Sequence, residues 1–263
     1  GEKIQLIAKI ENREGVNNIK EITDECDGAM VARGDMGVEI PFEELPALQK
    51  KIIKLCYKQG KKVITATQML ESMINNPRPT RAEISDVANA IYDGTSAIML
   101  SGETAVGKYC VETVKTMAKI AEKTENSIHF KNRFKTLDPE IKTITDAISH
   151  ATVAASFDLN AKAIIALSQS GFTARKVSRF RPDCVIIAAT LSEKAYNQLA
   201  MNWGVVPVLT ELQSDYMKMI SHSVQRAKTT GCVKNGDLVV ITGGIPVGLT
   251  SNTNTMRIEI VGE

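Results

Sequence analysis

The feature that most constrains the fold is a regular alternation of short β-branched segments with longer segments of helical periodicity. Such alternation is typical of βα units, whose strands run parallel within one sheet. The pattern therefore predicts an α/β fold with mainly parallel sheets. The predicted strands lie at residues 4–10, 29–32, 62–66 and 96–100 in the first half, and near 163–167, 185–189, 205–209, 237–242 and 255–261 in the second. The last strand alternates apolar and charged residues, which predicts that it is half-buried.

The helical segments indicate where the chain divides. We predict helices at residues 42–59, 81–92, 111–125 and 141–157. Gly60 ends the first, and a capping box between Thr80 and Glu83 opens the second. Residues 126–140 lose the helical period and contain Pro139, which favours a domain boundary. We therefore expect domains at residues 1–126 and 141–263, joined by a linker at 127–140.

The composition excludes several classes of protein. Hydrophobic residues make up 43% of the 263 positions and the net charge is +2, so the chain is not disordered and we expect no nucleic-acid partner. The five cysteines lie far apart without a C-x-x-C pair, which favours a reducing, cytoplasmic location. The apolar runs are far shorter than the roughly 18 residues of a membrane helix, so we expect no membrane partner.

Polar side chains follow each strand of the first half, where parallel α/β proteins place their chemistry. Glu11 and Asp35 follow adjacent strands, and two carboxylates there suit Mg²⁺, which completes its shell with substrate oxygens and water. Lys9 points to the same side of its strand as Glu11 and could stabilise a phosphate or an enolate beside the cation. The other candidates at these strand ends are Arg33, Gly34, Thr67, Ser101 and Glu103.

The second half contains a candidate anion site. Hydroxyls, a glycine and helix amides meet between a strand end and a helix start, at Ser168, Ser170, Gly171 and Thr173. A simple helix N-cap explains the same residues, so both interpretations stay open. The loop at residues 242–253 is rich in glycine and hydroxyl groups, and it is either a flexible connector or a ligand clamp.

Taken in order, these motifs resemble the pyruvate kinase family. The resemblance rests on the segments KIEN at 9–12, VARGDMG at 31–37, ATQMLESM at 66–73, PRPTRAE at 77–83 and MLSGETA at 99–105. It extends through residues 168–173 to TNTMR at 253–257, and the closing loop is more similar to bacterial members. The family has a (β/α)₈ TIM barrel with an inserted lid domain, followed by a C-terminal α/β domain. Its members transfer a phosphoryl group from phosphoenolpyruvate to ADP, giving pyruvate and ATP in glycolysis.

The resemblance implies a role for each strand-end residue. Glu11 and Asp35 would hold Mg²⁺ or Mn²⁺, and Lys9 would stabilise the phosphoryl group and the enolate. Thr67 would lie beside the methylene carbon of the substrate. The backbone amides that would hold the substrate carboxylate belong to Ala32, Arg33, Gly34 and Asp35. The residues with an implied catalytic role are Lys9, Thr67, Ser101 and Glu103.

The same resemblance implies regulation and assembly. Ser168, Ser170, Gly171 and Thr173 match the loop that binds the phosphate of an allosteric effector. Gln169 stands where some members activated by sugar bisphosphates carry a basic residue, so the identity of the effector stays open. The family also implies a homotetramer and a K⁺ ion, whose site lies mostly in a part of the family fold that this sequence does not contain.

The sequence departs from the family at its start, because only the last four βα units of the barrel can be found. We therefore expect the C-terminal half of a longer enzyme, weakly active or inactive by itself. Its expected protein partners are further copies in a homo-oligomer or a companion N-terminal chain. Two alternatives stay open. Residues 141–263 could act as an effector-binding and oligomerisation module without catalysis, or the chain could be a barrel lyase using Lys9 as a Schiff base. The metal pair of Glu11 and Asp35 favours phosphoryl transfer over the lyase.

Overall fold

The computed structural model describes residues 4–136, 141–213, 215–246 and 252–262. The chain forms two compact units, at residues 1–128 and 129–263. The expected domain limits, with a linker at 127–140, stay a prediction, and residues 137–140 of that linker lie outside the described residues. Within the described ranges, no helix is both long and apolar enough to cross a bilayer.

The first unit is built on a parallel sheet of four strands in the order β1-β2-β3-β4. These strands are β1 (Ile7–Ile10), β2 (Gly28–Ala32), β3 (Lys62–Ala66) and β4 (Ala97–Ile98). All four occur where the sequence predicts them, but β1 and β4 are shorter than expected. They form the two edges of this sheet, where a strand is held by pairing on one side.

In the described part of the first unit, seven helices follow or connect these strands. They are α1 (Arg13–Asn17), α2 (Ile19–Glu25), α3 (Arg33–Glu39), α4 (Leu45–Gln59), α5 (Arg81–Asp93), α6 (Gly102–Ala105) and α7 (Cys110–Glu125). The predicted start of α4 is wrong by three residues, because residues 42–44 form a 3-10 turn and Pro46 favours the first turn of the helix after it.

Local chemistry explains where α5 begins and where α4 and α5 end. Thr80 Oγ1 accepts from the amide of Glu83 while the Glu83 carboxylate accepts from the amide of Thr80, which confirms the predicted capping box. Such a cap contributes about 1 kcal/mol. Gly60 and Gly94 end α4 and α5 with φ of 70° and 94°, a left-handed conformation that glycine adopts without steric cost.

The core of the first unit fixes the carboxyl edge of its sheet. Every residue of β3 is buried, and four of the five residues of β2 are. α4 packs against these strands through Ile52, Ile53 and Cys56, each fully buried. Met69 and Met73 are fully buried against α5. The strand ends are therefore held by tight packing just behind them.

The second unit contains a five-stranded sheet in the order β7-β6-β5-β8-β9, parallel except for β9. The strands are β5 (Ala163–Leu167), β6 (Val185–Thr190), β7 (Val205–Leu209), β8 (Leu238–Gly243) and β9 (Thr255–Ile260). Each lies within one residue of its predicted position. The helices are α8 (Phe130–Lys135), α9 (Ile144–Asp158), α10 (Phe172–Ser178), α11 (Glu193–Leu199) and α12 (Tyr216–Lys228). Thus part of the predicted linker is helical.

The outer strand β9 forms as predicted, yet its apolar residues are exposed. Met256, Ile258 and Ile260 are 39%, 45% and 36% exposed. The side chain of Glu259, on the other face, is only 18% exposed and is paired with Arg257. Alternation reveals that a strand has two faces, but the elements that pack against the strand decide which face is covered.

An aromatic cluster surrounds His150 in the second unit. The imidazole stacks on Phe134 with ring centroids 4.8 Å apart and meets the edge of Phe180 at 5.4 Å. Phe157 also packs against Phe134. Burial, helped by the positive charge of Arg179, lowers the pKa of His150 below its ordinary value of 6.5.

We expect the second unit to lose stability as the pH falls below 6.5, the ordinary pKa of histidine. Because folding lowers the pKa of His150, the unfolded chain binds the proton more tightly than the folded one. The contribution of His150 is therefore complete above pH 6.5 and is lost as the pH falls through that value towards the folded pKa. Urea denaturation followed across this range measures the effect.

His150→Phe keeps an aromatic ring and removes the titrating group, so it should flatten this part of the pH profile. His129→Phe, at an exposed histidine, is the matched control and should leave the profile unchanged. A pH profile of His150→Phe identical to that of the unmodified chain would contradict the expectation.

Candidate active site at the strand ends

Three charged side chains meet at the carboxyl ends of β1 and β2. Lys9 Nζ lies 2.5 Å from Glu11 Oε2 and 2.8 Å from Asp35 Oδ2. The parallel register pairs Ile10 with Val31, so the two strands end side by side. All three side chains are about half exposed. The structure therefore brings the two predicted carboxylates together around one ammonium group.

The two carboxylates keep Lys9 protonated. Its hydrogen bonds to Asp35 and then to Glu11 raise the pKa of the Lys9 ammonium above its ordinary value of 10.5. A lysine that forms a Schiff base needs a lowered pKa, since the neutral amine is the nucleophile. The geometry thus acts against the lyase alternative and suits a permanent positive charge.

The carboxylate pair fits a magnesium ion that relies on its substrate for further ligands. Within the described residues, no group of three or more His, Cys, Asp or Glu side chains is arranged to hold a metal ion by itself. Mg²⁺ usually takes one or two carboxylates and fills the remaining positions with phosphate oxygens and water. Glu11 and Asp35 match that donor set, because both carboxylates lie on exposed side chains at one edge.

Arg33 follows β2 directly, but its guanidinium group is turned towards β3 and α5. Nε donates to Ala66 O at 3.2 Å and Nη2 to Thr67 O at 2.6 Å. Nη1 forms an ion pair with Asp86 at 2.6 Å. The side chain of Arg33 therefore binds protein groups, and what remains for a ligand near Arg33 is its backbone. Sequence reasoning missed Asp86, because no local pattern links it to β2.

Thr67 occupies a strained turn beside residues 33–35. Its φ is 67° and that of Gln68 is 53°, so both lie in the left-handed region. This region costs an L-residue about 1–2 kcal/mol, and surrounding contacts must offset that. Thr67 Oγ1 donates to Ala66 O at 2.7 Å and accepts from the amide of Gly34 at 2.8 Å. The hydroxyl and the start of α3 are thus in direct contact.

Glu103 connects two strand ends through the backbone. Its side chain is almost fully buried, at 2% exposed for the residue. Oε1 accepts from the amide of Leu70 at 3.2 Å and Oε2 accepts from the amide of Ser101 at 2.8 Å. Ser101 Oγ is enclosed and has no hydrogen-bond partner in the part of the chain described. Glu103 therefore holds the loops in place, whereas the Ser101 hydroxyl is left with unused bonding capacity.

In the second unit, the groups of the predicted phosphate loop bind one another. The Thr173 amide donates to Ser168 Oγ at 3.2 Å, and the Thr173 and Thr253 hydroxyls lie 2.8 Å apart. Thr173 is buried, Gly171 has φ 77°, and Ser170 O accepts from Arg175. The N-cap residue of α10 is Gly171, which has no side chain to cap the helix, so the hydroxyl of Ser168 in the preceding loop accepts from an amide of the first turn. A phosphate-binding role for these residues stays a prediction, and residues 247–251 of the neighbouring loop lie outside the described residues.

Sequence comparison assigns both units to one family. The family model described as the pyruvate kinase barrel domain matches residues 1–114, and the one described as the pyruvate kinase alpha/beta domain matches residues 146–259. The chain belongs to the pyruvate kinase family. The first unit thus supplies βα units of the family's TIM barrel, and the second is its α/β domain.

Curated pyruvate kinases match nearly the whole chain. The pyruvate kinase of Clostridium acetobutylicum is 53% identical over 262 residues, which cover 99% of this chain and 55% of that relative. The relative from Sporosarcina psychrophila is 49% identical over 264 residues, covering 100% of this chain and 45% of its own length. The one from Geobacillus stearothermophilus is 51% identical, and the match covers 99% of this chain and 44% of that relative. The chain thus spans about half the length of the curated pyruvate kinases that it matches.

Replacing Glu103 by glutamine should lower the free energy of unfolding by about 1–3 kcal/mol. Glutamine has nearly the same size, but its amide nitrogen cannot accept, so the Leu70 or the Ser101 amide loses its partner. Urea denaturation followed by circular dichroism measures the change. Glu122→Gln, on an exposed position of α7, is the control and should shift stability by less than about 0.5 kcal/mol. Equal stability of Glu103→Gln and the unmodified chain would contradict the expectation.

Proposed function

We propose that this chain supplies catalytic residues for phosphoryl transfer from phosphoenolpyruvate to ADP, the step that yields pyruvate and ATP in glycolysis. The observation that carries the proposal is the Lys9 ammonium paired with Glu11 and Asp35 at the carboxyl edge of a parallel sheet. The membership in the pyruvate kinase family supports it, because that family's named activity requires charge stabilisation at such an edge.

Charge neutralisation is the main chemical task of this site. Glu11 and Asp35 would hold Mg²⁺ or Mn²⁺, which when bound neutralises charge on the phosphoryl oxygens. Lys9 stays protonated, so it can stabilise both the phosphoryl group during transfer and the enolate left behind. Phosphoryl transfer needs positioning and electrostatic stabilisation more than covalent chemistry, and a fixed ammonium beside two carboxylates provides both.

The turn at Thr67 and the start of α3 would hold the substrate. The first amides of a helix have no partner inside that helix, so those of Arg33 and Asp35 would donate to a carboxylate, whereas the Gly34 amide already donates to Thr67 Oγ1. Thr67 contacts Gly34, so a substrate held there would have its methylene carbon beside the Thr67 hydroxyl. Ser101, whose hydroxyl has no hydrogen-bond partner among the described residues, would complete the polar surroundings in which the enolate takes up a proton.

Further parts of the proposal come from the family alone. They are a K⁺ ion, a homotetramer and a phosphorylated effector bound at Ser168, Ser170, Gly171 and Thr173. The chain spans about half the length of its relatives, so we propose that it turns over slowly or not at all by itself. Loss of one transition-state donor typically lowers kcat about 10²–10³-fold, and several would be missing.

Metal binding tests the carboxylate pair without any need for turnover. We expect Glu11→Gln and Asp35→Asn each to weaken Mn²⁺ binding by about tenfold or more, because each removes one of two charged ligands. Electron paramagnetic resonance of free Mn²⁺ measures the affinity. Glu14→Gln removes a nearby exposed carboxylate on α1 and should leave the affinity unchanged. Equal affinities for all three variants would place the metal elsewhere.

A coupled assay of pyruvate formation tests the activity itself. It contains phosphoenolpyruvate, ADP, Mg²⁺ and K⁺, and the sample's intact mass is compared with 28.7 kDa. We expect little or no turnover from material of that mass alone and higher turnover when an N-terminal companion chain is supplied. In the complemented sample Lys9→Met should abolish activity, whereas Lys20→Met, at an exposed position of α2, should not. Complemented material without phosphoenolpyruvate-dependent turnover would refute the proposed reaction.

A further inference from the structure

We propose that Arg33 and Asp86 form a positioning pair that fixes the Thr67 hydroxyl against the start of α3. The inference deepens the proposed function, because it rests on Thr67 lying beside the substrate. Neither side chain of the pair would touch the reacting atoms. Arg33 acts through Thr67, and Asp86 acts through Arg33.

Arg33 holds the backbone on both sides of Thr67. Its Nε donates to Ala66 O at 3.2 Å, and its Nη2 donates to Thr67 O at 2.6 Å. These two carbonyls belong to consecutive peptide groups, so the planar guanidinium fork fixes the orientation of both. Nη2 also lies 2.7 Å from the sulfur of buried Met69. The guanidinium therefore contacts the whole turn, from Ala66 at the end of β3 to the buried Met69.

Asp86 determines where the guanidinium group lies. It projects from α5 and meets Arg33 Nη1 through both carboxylate oxygens, at 2.7 Å and 2.6 Å. The Arg33 side chain is only 13% exposed, so its charge needs a close anionic partner. Gln49 on α4 adds a longer contact, at 3.4 Å. Without the Asp86 charge, the nearly buried guanidinium would be better solvated if it turned towards water. The carbonyls of Ala66 and Thr67 would then lose their hydrogen-bond donors.

The turn needs such support because its conformation is locally unfavourable. Thr67 is β-branched and Gln68 is not glycine, yet both adopt positive φ. On the far side, Glu103 holds the amide of Leu70. On the near side, the Arg33 pair holds the carbonyls of Ala66 and Thr67. Held at both ends, the turn places Thr67 Oγ1 at 2.8 Å from the amide of Gly34.

The chain offers a matched control for Asp86. Asp93 lies seven residues further along α5 and forms an ion pair with Lys50 of α4. It also accepts from Gln49. Asp93→Asn therefore removes an equivalent helix-to-helix charge contact on the same helix, whereas Asp86→Asn removes the contact that leads to Thr67.

Amide hydrogen exchange of Gly34, read by NMR on the full chain, tests the pair directly. Thr67→Val removes the acceptor of this amide and should speed its exchange by about tenfold, the factor for one net hydrogen bond. Asp86→Asn should cause a similar increase, and the double variant should exchange no faster than Thr67→Val. Asp93→Asn should leave Gly34 unchanged. The amide of Val31, in the core of β2, should stay slow in all four variants.

Two results would overturn the proposal. One is a Gly34 exchange rate in Asp86→Asn equal to that in Asp93→Asn. The other is equal acceleration at Gly34 and Val31, or additive effects in the double variant, since these would mean that Asp86 only stabilises the unit as a whole. Because the measurement needs no turnover, it is informative whether or not the chain is active.

The complemented assay then separates this inference from the proposed function. Asp86→Asn should lower kcat by about tenfold and change KM for phosphoenolpyruvate by less than about twofold. It should have no further effect in a Thr67→Val background. Arg33→Lys keeps the charge but lacks the planar fork. It should therefore show the same faster Gly34 exchange and the same lower kcat as Asp86→Asn. Fast Gly34 exchange in Asp86→Asn, together with no pyruvate formation by the complemented unmodified chain, would support the positioning pair and refute the reaction. Unchanged Gly34 exchange in Asp86→Asn, together with turnover by the complemented unmodified chain, would refute the positioning pair and support the reaction.

Discussion

The parallel register of β1, β2, β3 and β4 is the constraint on which the candidate site depends. Ile10 pairs with Val31, Val31 with Thr65, and Thr65 with Ile98, so all four strands end at one edge. Residues as far apart in the chain as Lys9 and Glu103 are brought to this edge by the pairing of the strands. Side-chain chemistry therefore acts on positions that the sheet has already brought together.

Charges at this edge are balanced in two different ways. The pairs between Lys9 and its two carboxylates are about half exposed, so water competes with them and a ligand can replace them. The contacts of Arg33 and Glu103 are mostly buried and lead to backbone groups. Removing one partner from such a buried contact leaves a polar group unpaired, which is costly. The first set suits binding, and the second set maintains the shape of the site.

The sequence predicts the sheet and the meeting of Lys9, Glu11 and Asp35, because strand alternation and parallel pairing are local properties with one geometric consequence. It does not reveal that Arg33 turns towards α5, since that depends on Asp86, which is 53 residues away. The contact between Glu103 and the Leu70 amide escapes it for the same reason. The exposure of the apolar face of β9 also depends on how other elements pack, and sequence periodicity does not show that packing.

The left-handed turn at Thr67 and Gln68 has a consequence for how this chain tolerates change. A glycine at position 68 would relax the backbone there, so selection for heat resistance alone would favour it. The same change would make the backbone of the turn more flexible, so the Thr67 hydroxyl would be held less firmly against the amide of Gly34. Thermal stability and the fixed position of the Thr67 hydroxyl against Gly34 therefore make opposite demands on position 68. A screen that measures only stability would therefore select variants in which the Thr67 hydroxyl is no longer held in place.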